Sequence, residues 1–92
     1  MTHLVQILLP RADETVAREL AERFGGVTAY SRAPARGLWK PAPGSTERDD
    51  IVVLEVMVEA LEAGWWRTYR ESLERRFRQD EIVVRAHPIE RL

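Results

Sequence analysis

Glu55 is the one acid inside Ile51–Val58, the strongest strand signal in the chain. A carboxylate flanked by apolar Val53 and Met57 is a source of general-base chemistry, because desolvation raises its pKa unless a cation holds it ionised. Arg85 supplies such a cation in the expected sheet, Gln6 lies between the two, and Tyr30 or Arg32 extends the same row. An interface ion pair between Glu55 and Arg85 would use the same residues without any reaction. Tyr30, Arg32, Arg36, Trp39 and Lys40 add aromatic walls and cations of the kind that receive a small anionic molecule. The competing role for that stretch is an edge strand guarded by proline and charge against aggregation. Gln6, Tyr30, Arg32, Trp39, Glu55 and Arg85 are therefore the candidate ligand-binding residues, with Glu55 and His87 the candidate catalytic groups.

His3 and His87 are the only histidines. Both fall at strand ends expected to be neighbours, where they would share a ligand or a proton. Two ligands do not make a zinc site without Glu55 or Glu81 joining them, so no metal is expected, and no cofactor. Gly64–Arg70 clusters aromatic and cationic side chains; Trp66 and Tyr69 belong to a core stripe, while Trp65 sits at its margin, where a ring can anchor a loop, a partner or a ligand. Glu62, Glu71 and Glu74 break up the arginines of that helix, which argues against a phosphate-binding stripe.

Composition narrows the functional classes. The 92 residues, 45% hydrophobic and 32% charged, amount to one domain spanning 1–92 with a single core. The chain lacks cysteine, which excludes disulfides, thiolate metal sites and cysteine nucleophiles and fits a cytoplasmic home. Fourteen basic against fifteen acidic residues give a net charge of -1, too little positive field for nucleic acid or an anionic membrane. The apolar run Leu4–Leu9 ends at Pro10 and Arg11, too short for a signal segment or a membrane span.

Positioning falls to six elements. Leu4–Leu9 reads as a central strand apolar on both faces. Asp13 caps a helix to Phe24 with Val16, Leu20 and Phe24 on one stripe, Gly25-Gly26 stops it, and Glu14 with Arg18 and Glu19 with Arg23 form i,i+4 pairs. Val27–Arg32 makes an edge strand that Gly37–Lys40 resumes, and Pro41–Asp49 is an exposed connection. Ile51–Val58 is a second central strand, Leu61–Arg78 a second helix with Trp66, Tyr69, Leu73 and Phe77 inward, and Glu81–His87 a last strand stopped by Pro88. The order β-α-β-β-α-β with right-handed crossovers predicts an α+β, ferredoxin-like fold: a four-stranded antiparallel sheet, ordered last, first, third, second, with both helices on one face.

Strand alternation then sorts the side chains. Val5, Ile7, Leu9, Val52, Leu54, Val56, Val58, Ile82, Val84 and Ala86 turn toward the helices. Leu4, Gln6, Leu8, Ile51, Val53, Glu55, Met57, Val83, Arg85 and His87 line the other face, which is too apolar to be left in water. A homodimer packed sheet on sheet is the expected cover.

The element order, the approach Gly25-Gly26-Val27-Thr28-Ala29-Tyr30 to the second strand and Phe77-x-Gln79-x-Glu81-Ile82 before the last one resemble small uncharacterised bacterial ferredoxin-like proteins. The chain is also similar in plan to the dimeric α+β barrel superfamily, in which two such sheets pack together and some members oxidise or isomerise small organic molecules. That resemblance implies a homodimer and a possible small-molecule cleft, and transfers no catalytic residue because the superfamily shares no single motif. Two functions follow: a dimeric binding or interaction module using the open sheet face, or a cofactor-free enzyme acting on a small anionic or aromatic molecule.

Overall fold

The computed structural model describes residues 1–30 and 51–92. Strand β1 (His3–Leu9), helix α1 (Glu14–Phe24), strands β2 (Thr28–Tyr30) and β3 (Val52–Val58), helix α2 (Ala63–Phe77) and strand β4 (Val83–Pro88) follow one another in the expected order. All pairings are antiparallel and the sheet runs β2-β3-β1-β4, so the two most apolar strands are central. This is a ferredoxin-like α+β fold. Arg32, Trp39, the resumed strand at Gly37–Lys40 and the connection Pro41–Asp49 lie outside the described residues.

Helix α1 forms where its caps demand. The Asp13 carboxylate accepts from the Val16 N–H at 3.1 Å, satisfying one of the free donors of the first turn. Gly25, at φ 86°, closes the helix in the left-handed region that glycine enters without a Cβ clash. Helix α2 begins at Ala63 without a side-chain cap, two residues later than expected. It ends on Arg78 at φ 53°, an αL residue that is not glycine, with the Gln79 N–H bonded back to the Glu74 carbonyl. Strand β4 begins at Val83 rather than Glu81, because the Ile82 N–H is taken by the Glu74 carboxylate at 3.0 Å.

The core lies between the helices and one face of the sheet. Val5, Ile7 and Leu9 of β1 and Val52, Leu54, Val56 and Val58 of β3 are buried against Val16, Leu20, Trp66, Leu73 and Phe77, as alternation predicts. Each such side chain contributes about 1.5–3 kcal/mol by leaving water. Coverage thins over β4: Val84 is half-buried and Ala86, expected under a helix, is exposed. A cleft of about 240 Å³ opens there between α2 and the edge strand.

The two helices are tied by charge as well as packing. Neither expected i,i+4 pair on α1 is present among the described residues. Glu19 instead crosses to α2, accepting from Arg76 at 2.9 Å and from the Tyr69 hydroxyl at 2.9 Å, and Arg23 pairs with Glu62 at 3.5 Å. Glu19 gains two partners at once on the neighbouring helix, whereas an i,i+4 contact would restrain two long side chains in water for one. The Arg76 hydrogen bond holds the Glu19 carboxyl below its usual value, and burial, with the Glu19 hydrogen bond adding to it, pushes the Tyr69 phenol up.

Because the folded pKa of Glu19 is lowered, its stabilisation is complete above the unfolded value of 4.5 and is lost as pH falls through the folded one. Glu19→Gln should therefore lower stability at neutral pH, by roughly 0.5–1 kcal/mol given its partial exposure. In urea unfolding, the gap between the two proteins should narrow below that pH.

Candidate functional site

The open face of the sheet carries one polar row. Gln6 sits at the centre of β1, with Glu55 its partner on β3 and Arg85 its partner on β4. The Gln6 amide donates from Nε2 to Glu55 Oε2 at 2.7 Å, and its Oε1 accepts from Arg85 Nε at 2.8 Å. Charge dictates that orientation, since the carboxylate accepts only and the guanidinium donates only. Three of the predicted residues thus meet as a chain. Within one chain Glu55 and Arg85 do not pair directly, because β1 intervenes and two strand spacings, together about 10 Å, separate them. Gln6 carries the polarisation between the two charges.

Tyr30 joins from the edge. Its backbone pairs with Val53 and that of Thr28 with Glu55, so both lie on the open face. Hydrogen bonding to Glu55, and then the charge of that carboxylate, raise the Tyr30 phenol above its ordinary value of 10.0. Around the row stand Leu4, Leu8, Ile51, Val53 and Val83, all half-buried, with Met57 51% and Tyr30 48% exposed. The polar row crosses the centre of the face between apolar side chains, and exposure is greatest at its β2 and β4 edges.

The histidines do not come together. His3 is opposite Pro88 while His87 is opposite Leu4, and cross-strand partners share a face. His87 therefore projects on the open face and His3 on the helix side, where its Nδ1 lies 3.1 Å from the Met1 carbonyl oxygen. A one-residue offset is enough to separate them. His87 is also two strands and one residue pair removed from Glu55, so the two candidate catalytic groups are not neighbours. No group of three or more metal-ligating side chains occurs among the described residues.

Trp65 packs within the helix layer and also lines a large cleft beside it. It stacks on Tyr69 at 4.9 Å between centroids, meets Phe24 and Trp66 edge-on at 5.3 and 4.8 Å, and carries the Arg23 guanidinium 4.2 Å over its ring. The signal for this cluster was in the topology: β1 and β3 are antiparallel, so the helices that follow them are too. The end of α1 must then meet the start of α2.

Below that cluster lies a cleft of about 970 Å³ that wraps the sheet edge where β2 begins. Phe24, Gly26, Glu55, Met57, Trp65 and Arg91 are among its walls. It is the feature that motif reading missed, since its residues come from four separate segments and none forms a pattern. Glu55 is common to the cleft and to the polar row.

Compared with known proteins, the chain matches no family model, no curated protein and no solved structure. The geometry has to carry the functional argument. Among the described residues no helix is long and apolar enough to cross a membrane.

Removing the charge at Glu55 should release Tyr30. In a Tyr69→Phe background Tyr30 is the sole tyrosine of the two in the chain, so its ultraviolet titration can be followed alone. Adding Glu55→Gln should shift that titration down toward the ordinary phenol value, whereas an unmoved titration would mean that the two side chains do not communicate.

Proposed function

We propose that this domain is a binding and interaction module that works through its open sheet face, with a second copy of the chain as the partner. The observation that carries the reading is that face itself: six apolar side chains, Leu4, Leu8, Ile51, Val53, Met57 and Val83, surround a hydrogen-bonded row with a cation at one end and an anion at the other. A surface of this kind gains by leaving water and carries the charges that fix how a partner sits. Two-fold pairing uses one patch twice, the most economical way to cover it. The similarity in plan to the dimeric α+β barrel superfamily and to small bacterial ferredoxin-like proteins points the same way.

Met57→Glu places a charge on the exposed part of the patch and leaves the core untouched. Wild-type protein should sediment as a dimer at micromolar concentration and the variant as a folded monomer. A wild type that stays monomeric across that range overturns the reading.

A second reading draws on the cleft. A space of about 970 Å³ with Glu55 in its wall, aromatic rings behind and Arg91 at its margin has the size and lining to admit a small anionic or aromatic molecule. In a cofactor-free enzyme of this plan Glu55 is the base. Benzoate is a suitable probe: under this reading it raises the thermal unfolding midpoint of wild type, and Arg91→Ala abolishes the rise. The module reading predicts no shift in either protein.

A further inference from the structure

The charges of the open face are arranged antisymmetrically. Arg85, Gln6 and Glu55 stand abreast on β4, β1 and β3, so a cation lies on one side of the central strand, an anion on the other and a neutral amide over the strand itself. The rows above and below share that centre: Val83, Leu8 and Val53 in one, His87, Leu4 and Met57 in the other. Two identical sheets packed face to face are exchanged by a two-fold axis lying between them. Its direction decides which charges meet. An axis running across the strands stacks Arg85 on Arg85 of the partner subunit and Glu55 on Glu55 of the partner subunit, a like-charge seam that is strongly unfavourable. An axis running along β1 exchanges the two sides and brings Arg85 over the partner's Glu55, twice.

We infer that the second copy is seated with its two-fold axis along β1, so that the partner's Arg85 completes the Glu55–Gln6 row. This rests on the reading that the open face pairs with another copy of the chain, and specifies how. Reach and valence both allow it. Packed sheets lie about 10 Å apart, a gap that an arginine and a glutamate span together. Arg85 spends only its Nε on Gln6, leaving its other guanidinium N–H donors, and Gln6 engages Oε2 of Glu55. The apolar rows agree with the same axis, which sets Leu8 against the partner's Leu8 and Val53 against the partner's Val83. Gln6 then faces the partner's Gln6 across the axis, each amide held in its own row by Glu55 and Arg85.

A charge-exchange cycle tests the seating. Glu55→Arg and Arg85→Glu should each raise the dimer Kd at least roughly tenfold in sedimentation, and the double variant E55R/R85E, which restores opposite charges across the seam, should return it near the wild-type value. A dimeric wild type whose double variant is as weak as the single variants, or weaker, overturns this seating while leaving the pairing intact. A monomeric wild type overturns both. Should a reversed variant fail to fold, E55Q and R85Q run the same cycle: the double variant should then be no weaker than either single one, and additive losses overturn the seating.

Discussion

Along β1, Val5, Ile7 and Leu9 alternate with Leu4, Gln6 and Leu8, and the pairing with β3 matches the first set to Val56, Leu54 and Val52. Everything else in the molecule depends on that register. Because strand side chains alternate with a period of two, a slip of one residue between sheet and helices would turn Gln6 and Glu55 into the core and expose Ile7 and Leu54. Burying an unpaired carboxylate costs far more than a covered valine returns. The apolar set on one side of the sheet therefore fixes the polar row on the other, and the row is a consequence of how the core is packed.

What the sequence made legible follows from that dependence. Local signals with a stereochemical cause, Asp13 before α1 and Gly25 after it, marked the helix within a residue. Strand parity alone places Gln6, Glu55 and Arg85 on one face, and the antiparallel register sets them in one row. The partners of surface charges were not legible. Glu19 and Arg23 had an acid-first spacing on their own helix, yet Glu19 pairs with Arg76 of α2 and Arg23 with Glu62 just before it. A spacing rule sees neighbours along one helix and has no term for the helix beside it. The histidines show the opposite case, a misreading that parity alone would have prevented.

The helix layer and the open face are not independent. Phe24, Trp65, Trp66 and Tyr69 gather where α1 ends and α2 begins, which concentrates the aromatic packing at one end of the sheet. Ala86 and Val84 at the β4 edge receive little of that cover. Gly25 and Gly26 line the large cleft, and a Cβ built on either would meet no atom within 4 Å among the described residues. The large cleft borders this aromatic cluster, with Phe24, Trp65 and Trp66 in its wall.

Glu55 is where the readings converge, and its surroundings weigh one against the other. A general base needs a free oxygen facing its substrate and freedom to take a proton. Glu55 gives one oxygen to Gln6 and lies beside the Tyr30 phenol, while Arg23, the cation nearest the cleft's aromatic wall, is held by Trp65 and Glu62. A carboxylate already engaged by Gln6 and Tyr30 has fewer lone pairs left for a substrate proton and is well placed to receive a cation. These contacts favour the proposed recognition role of the polar row over the proposed catalytic one.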